Sequence, residues 1–337
     1  MTIVAINGFG RIGRAFFRLA YGSDAFDVVA INDPFISPEM ARYLLVHDSV
    51  YKRYPRDVAA TEDGLSVDGT TIPLLREKSP AALPWSDKGV DLVLESTGVF
   101  KALDGPKGAS QHLKAGAKRV LLSVPPKGEG ADAIPQIIYG VNHEEIDLEV
   151  HRVVSAASCT TNSLVPVAHV LEREIGIDRA FLTTVHGYTA DQQLVDSAGS
   201  SLTRSRAAAI NIIPTTTGAA KATGKVIPAL AGKMDGMAFR VPVPTGSVTD
   251  FTVAVRQDAE VDAVNALFRR YAETTLVGVL GVSEDPLVST DIIGDPRASI
   301  VDLSSTGVVD RRLLKVVTFY DNEWGYANQL VRVAGLL

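Results

Sequence analysis

Residues 3–6, an unbroken apolar run, predict a buried strand at the start of the chain. The run breaks at Asn7-Gly8-Phe9-Gly10-Arg11-Ile12-Gly13, and residues 14–20 continue as a helix. A second strand, residues 26–31, ends at Asn32-Asp33. Asp68-Gly69, between residues 65–67 and 71–72, is a hairpin signal. Residues 90–94 read as a buried strand closing on Glu95-Ser96-Thr97-Gly98, and a helix ending near Gly116 leads to a strand at 120–123. Residues 136–142 and 151–155 read as two further strands. Strands alternating with helices imply a Rossmann-type α/β fold with a doubly wound, mostly parallel sheet.

The pattern then changes. Leu164, Val167, Ala168, Leu171 and Ile175 recur at helical spacing up to Gly176, predicting a helix that starts near Cys159, with Pro166 expected to kink it. Residues 181–185 form a strand ending at His186, and residues 187–211 are polar and irregular, a length typical of functional loops. Alternation over 248–255 and 315–320 predicts an antiparallel sheet, covered by a helix marked by Val261, Val264, Leu267, Phe268 and Tyr271. Residues 324–334 read as a last helix. This second half is α+β with a mostly antiparallel sheet, so the domain boundary falls near Cys159.

Composition narrows the class. At 337 residues and 35.9 kDa the chain exceeds what one core usually holds, so two domains are expected. A net charge of -6 gives no reason to expect nucleic acid or an anionic membrane as partner. The most apolar window, residues 153–171, is interrupted by polar residues and is no membrane span. The N-terminus enters a strand with no basic leader, and one cysteine forms no intramolecular disulfide, which fits a reducing cytoplasm.

Three groups of residues carry candidate chemistry. Gly8, Gly10 and Gly13 form G-x-G-x-x-G between strand and helix, with Asp33 twenty residues on, where a dinucleotide fold places the acid for the ribose hydroxyls. Amides at Arg11 and Ile12 would receive the phosphates, and Ser96-Thr97 lies at the sheet edge where a cofactor binds, unless the pair are simple turn formers. The lone Cys159 is either a small buried hydrophobe or a nucleophile. A strand-to-helix turn favours a thiolate, and His186, 27 residues on, is a plausible base or a structural histidine. Thr189, Asp191, Arg204 and Arg206 precede the Thr217-Gly218 turn, an anion-binding composition, and Arg240 needs a carboxylate or a substrate phosphate as partner. The remaining histidines show no metal-ligand spacing, so no metal is expected.

Asn7–Gly13, Ala157-Ser-Cys-Thr-Thr-Asn162, Thr184-Val-His-Gly-Tyr-Thr189, Arg206–Ala209, Ile213–Ala220 and Tyr320-Asp-Asn-Glu323 together resemble the phosphorylating glyceraldehyde-3-phosphate dehydrogenases over essentially the whole chain. The resemblance implies oxidation of glyceraldehyde 3-phosphate to 1,3-bisphosphoglycerate, a glycolytic or gluconeogenic step, through a Cys159 hemithioacetal and thioester with His186 as base. It implies a substrate-phosphate site at Thr189, Asp191 and Arg240, with Asp191 orienting the arginine. A second site, for the attacking phosphate, matches Ser158, Thr160, Arg204, Thr217 and Gly218. Asn322 matches the residue holding the nicotinamide carboxamide and Tyr326 a ring beside it. The implied domains are 1–158 completed by 322–337 for the dinucleotide, and 159–321 for catalysis. A cytoplasmic homotetramer is implied, with the long polar loop reaching a neighbouring subunit's cofactor.

Five positions depart from the family pattern: Ala156 stands for asparagine, Ser163 for a second cysteine, Thr203 for an arginine, and Ser197-Ala198 for Leu-Pro. The last resembles members that accept NADP, while the Asp33 carboxylate repels a 2′-phosphate, so NAD is favoured with NADP as the alternative. Leu83-Pro84-Trp85 is similar to erythrose-4-phosphate dehydrogenase, the nearest rival; Thr215–Gly218 follows the phosphorylating pattern. A non-catalytic NAD-binding scaffold and a cysteine hydrolase are the rivals from other classes.

Overall fold

The computed structural model describes residues 1–337 and divides them into two compact units. The first comprises Met1–Ile137, His143–Ala157 and Leu330–Leu337. Its elements are β1 (Thr2–Asn7), α1 (Arg11–Ala20), β2 (Phe26–Asn32), α2 (Pro38–Val46), β3 (Val58–Ala60), β4 (Gly64–Val67), β5 (Thr70–Leu75), β6 (Leu92–Glu95), α3 (Ser110–Lys114), β7 (Arg119–Leu122) and β8 (Val153–Ser155). They form one sheet in the order β3-β4-β5-β2-β1-β6-β7-β8. From β5 to β8 every pairing is parallel, and β3-β4-β5 add an antiparallel edge closed by the Asp68-Gly69 hairpin. The chain winds outward from β1 to β2 and β5, then resumes on the other side at β6. The carboxyl ends of β1 and β6 therefore flank a topological switch point, the position where open α/β sheets bind ligands. Central strands are buried on both faces: Val4, Ala5, Ile6, Leu92, Val93 and Leu94 are fully covered, as their continuous apolar runs require.

The second unit, Ile138–Asn142 and Ser158–Gln329, is α+β. It holds α4 (Cys159–Glu174), β9 (Ile177–Gly187), β10 (Ile213–Thr216), α5 (Ala219–Val226), β11 (Met234–Val241), β12 (Ser247–Val255), α6 (Val261–Glu273), β13 (Leu280–Ser283), β14 (Ser299–Val309) and β15 (Leu313–Tyr320). The sheet order is β10-β11-β9-β12-β15-β14-β13, antiparallel except for β11/β9 and β13/β14. Burial along β12 alternates strictly, matching its sequence alternation. Its inward Phe251 and Val253 join Val316, Leu164, Leu171 and Phe268 in one core of sheet, α4 and α6. The last helix, α7 (Trp324–Ala334), is divided between the units after Gln329.

One expectation is corrected. Residues 136–142 are not a strand: only Gln136 bridges, to Ser155, and the rest is a turn. Gly140 sits at φ 85° there, and Asn142 Oδ1 accepts from Ile138 N at 2.8 Å, replacing ladder partners with a local closure. α4 runs through Pro166 without interruption, from Cys159 to Glu174. Proline forfeits one donor, and burial of the helix in the core outweighs that loss.

Candidate active site

The turn into α4 is built locally. Ala157 takes a left-handed conformation at φ 55°, and Ser158 caps the helix, its Oγ accepting from Thr161 N at 3.1 Å. Cys159 is thereby the first helical residue, beside amides that lack intrahelical acceptors. His186, near the end of β9, places Nε2 3.4 Å from the Cys159 sulfur. Its Nδ1 lies between the Gly187 carbonyl oxygen at 2.7 Å, which only accepts, and Arg240 Nη1 at 3.1 Å, which only donates; the shorter contact puts the proton on Nδ1 toward Gly187 O, and Nε2 presents a lone pair to the thiol.

Electrostatics on this pair oppose free charge. Burial pushes the Cys159 thiol up against the pull of Arg240, and burial with Arg240 drives His186 down to about 3. An increase in free thiolate from the helix end and His186 is therefore not what the site favours. The groups in contact form a unit instead: passing the proton from sulfur to Nε2 separates charge locally and leaves no net charge to bury.

Arg240 lies opposite His186 in the β9/β11 register. It donates to Gly187 O at 3.0 Å and Thr189 Oγ1 at 2.8 Å, and Nη1 stands 3.1 Å from His186 Nδ1. Asp191 accepts from the Thr189 hydroxyl and pairs with Arg204, whose Nε donates to Thr215 Oγ1 at 3.0 Å. Burial raises the Asp191 carboxyl, but Thr189, Arg204 and Arg240 outweigh it and hold the group below the usual carboxylate range. Its direct ion-pair partner is thus Arg204, and it touches Arg240 only through Thr189. Gly218 caps α5, with Thr217 Oγ1 accepting from Ala219 N at 3.2 Å.

In the first unit a cavity of about 360 Å³ is lined by Gly8, Gly10, Asp33, Ser96, Thr97 and Phe100, among others. Gly8 is at φ 94°, and a Cβ there would lie 2.7 Å from Thr97 N. A Cβ on Gly13 would fall 2.1 Å from Gly8 O, whereas one on Gly10 would meet nothing within 4 Å. The turn is packed from behind and open in front of α1, whose N-cap Gly10 offers no side chain, as a bound pyrophosphate requires. Arg11 offers only its backbone here, its guanidinium bonding Asp48 at 2.5 Å. Asp33 holds its carboxylate in place by accepting from Phe9 N and Phe35 N, each at 3.0 Å. The residues present fit a dinucleotide.

Family models match residues 2–103 as the NAD binding domain and residues 158–322 as the C-terminal domain of glyceraldehyde 3-phosphate dehydrogenase. The glyceraldehyde-3-phosphate dehydrogenase 2 of Streptomyces avermitilis is 48% identical over 98% of this chain and 97% of its own. That of Haloarcula vallismortis is 49% identical over 98% and 96%, and glyceraldehyde-3-phosphate dehydrogenase 2 of Bacillus subtilis 46% over 97% and 94%. The chain belongs to this family. Its first unit is an NAD-binding domain, and the chain is an NAD-dependent oxidoreductase.

Within the family's frame, Cys159, His186, Thr189, Asp191, Arg204 and Arg240 are joined by direct contacts. Ser96 and Thr97 line the cavity but spend their hydroxyls inside the turn, on Gly8 O at 2.7 Å and on Glu95. The hydroxyl of Thr160 is turned inward to Tyr320 Oη at 2.9 Å. Asn322 is fixed by Thr245, Gly246 and Ser247, which all donate to its Oδ1, so Nδ2 remains to donate outward. Tyr326 is buried, which pushes its hydroxyl well up. Sequence reasoning missed Tyr320 as a site residue. Its hydroxyl ties Thr160 to Thr184 Oγ1 at 2.8 Å, and its ring packs edge-on to His186 at 5.9 Å between centroids. Tyr320 lies in the quoted Tyr320–Glu323 run, but nothing in residue type separates a bridging tyrosine from a packed one.

Proposed function

We propose that this chain converts glyceraldehyde 3-phosphate, NAD and inorganic phosphate to 1,3-bisphosphoglycerate through covalent capture on Cys159. The contact of the Cys159 sulfur with His186 Nε2 at 3.4 Å carries the reading. Sγ attacks the aldehyde carbon, its proton passes to Nε2, and Nε2 returns it to the alkoxide to give the hemithioacetal. The Cys159 N–H stabilises that oxyanion. Nε2 then takes the hydroxyl proton as the carbon loses hydride, leaving a thioester. Bound NAD supplies the hydride acceptor. A phosphate oxygen attacks the thioester carbon, Sγ departs and takes back the proton held on Nε2, the proton of the attacking phosphate passes to solvent, and the acyl phosphate leaves.

Arg240 with Thr189 binds the phosphate of the substrate, and Arg204 with Ser158, the Thr160 amide, Thr217 and Gly218 binds the attacking phosphate. An anion on Arg240 also offsets the positive charge that depresses His186, so substrate binding eases proton uptake by the base. Asn322 donates to the nicotinamide carboxamide, beside Tyr326. NAD is the cofactor, and Asp33 sets the preference over NADP. The enzyme acts as a cytoplasmic homotetramer. Leu194, Leu202 and Ile210 in the long loop, each at least 80% exposed in the single chain, support a subunit contact there. No helix is long and apolar enough to cross a membrane.

Steady-state rates with both aldehydes and both cofactors, with and without phosphate, test the proposal. Glyceraldehyde 3-phosphate turnover that depends on phosphate and prefers NAD is expected. Phosphate-independent turnover, or a preference for erythrose 4-phosphate, would overturn it.

A further inference from the structure

Glu95 at the end of β6 is wholly buried, as is His112 beside it. A carboxylate in that position is costly unless every lone pair is met, and here each neighbour is a donor. Oε1 accepts from Thr97 N at 2.8 Å and from the Thr97 hydroxyl at 2.5 Å. Oε2 accepts from Asn7 Nδ2 at 2.6 Å and stands 3.1 Å from His112 Nε2. Trp85 Nε1, which only donates, lies 3.0 Å from His112 Nδ1. Nδ1 is therefore the acceptor, Nε2 carries the proton, and the imidazole donates to Glu95.

The polarity propagates. With Asn7 Nδ2 committed to the carboxylate, Asn7 Oδ1 faces Asn32 and accepts from its Nδ2 at 2.7 Å. Asn32 Oδ1 in turn accepts from Glu77 N at 2.9 Å. Asn7, Asn32 and Glu95 are the last residues of β1, β2 and β6, and the next residues are Gly8, Asp33 and Ser96. One buried anion thus orients the three turns that line the cofactor cavity. The turns also touch directly, since Ser96 Oγ donates to Gly8 O at 2.7 Å and the Gly8 backbone lies against Thr97 N.

We propose that Glu95, held by His112 and Trp85, is a positioning residue for the cofactor, acting through Asn7 and Thr97 to set the turns that receive the dinucleotide. This rests on the NAD-binding reading of the first unit. It also gives Trp85 a role in cofactor binding that is independent of which aldehyde is used.

Glu95→Gln places an amide donor among donors and is the direct test, with Trp85→Phe as the milder variant that removes only the donor to His112. Full-length proteins are compared by calorimetric NAD binding, by steady-state kinetics and by thermal unfolding. Loss of hydrogen bonds to a charged group predicts that Glu95→Gln raises Kd and KM for NAD by about tenfold or more. At saturating NAD, kcat and the KM for aldehyde stay within about twofold of the parent, a split that general loosening of the fold does not produce. Trp85→Phe is expected to raise KM for NAD by about threefold in the same pattern. A folded Glu95→Gln that binds NAD like the parent overturns the proposal, as does a parallel loss in kcat and both KM values. If Glu95→Gln does not fold, Trp85→Phe decides: the NAD-selective rise supports the proposal, and unchanged NAD affinity overturns it. A parent protein that itself fails to bind NAD overturns the cofactor reading, and this inference with it.

Discussion

At the scale of single residues, the proposed reaction turns on a thiol and an imidazole that share one proton. Each resists becoming charged alone, yet the proton moves between them without creating net charge. Alkylation of Cys159 by iodoacetamide is therefore expected well below the usual thiol pKa of about 8.5, because the proton is handed to His186 and not to solvent. In His186→Asn, which lacks that acceptor, the alkylation profile is expected to move to the free-thiol range or above; coincident profiles would contradict the pairing. The same histidine makes stability depend on pH. Its folded value, about 3, lies below an unfolded value of about 6.5, so the unfolded chain binds more protons between the two. Its contribution is complete above about pH 6.5 and is lost as pH falls toward 3. Denaturant unfolding at pH 7 and pH 5 checks this: the parent is expected to lose more stability on acidification than His186→Asn, and equal losses would contradict it.

At the scale of elements, two junctions place the chemistry. The first is the start of α4, where Ser158 caps the helix that begins with Cys159. Ser158→Ala is expected to cost about 1 kcal/mol of stability, read from denaturant unfolding, and to raise the KM for phosphate. No change in either would remove Ser158 from both roles. The second is the parallel pairing of β9 with β11, which sets Arg240 opposite His186. Arg240→Leu is expected to raise the KM for the phosphorylated aldehyde about tenfold or more while leaving that for NAD unchanged. Both junctions were only half legible in the sequence. The helix start could be read from spacing and small residues, but not the left-handed Ala157 behind it. Arg240 stood out as a charge in an apolar strand, whereas its register against His186 depends on pairing between strands some fifty residues apart, which no local pattern encodes. Asp191 could be recognised as a carboxylate among arginines, but its choice of Arg204 over Arg240 is decided by loop conformation. Residues 136–142 misled for the opposite reason. Their apolar content imitates a strand, while Gly140 and Asn142 fold the segment back on itself.

At the scale of the whole molecule, the division of labour was legible because each half has its own hydrophobic period and its own glycine or cysteine signature. Strands buried on both faces mark the NAD-binding unit, and the alternating β12 and β15 mark the α+β unit. What the sequence withheld is the buried polar framework: Glu95, His112 and Trp85 in one unit, Tyr320 with Thr160 and Thr184 in the other. Such networks join residues far apart in the chain and leave no periodic trace. The proposed reaction makes and discharges a thioester on Cys159. Rapid mixing of the protein with glyceraldehyde 3-phosphate and NAD in the absence of phosphate tests it most directly. A burst of about one NADH per active site is expected, with an acyl group on Cys159 by mass spectrometry and release of that group as acyl phosphate when phosphate is added. A protein that turns over without the burst, or a Cys159→Ser variant that keeps it, would contradict covalent capture on Cys159.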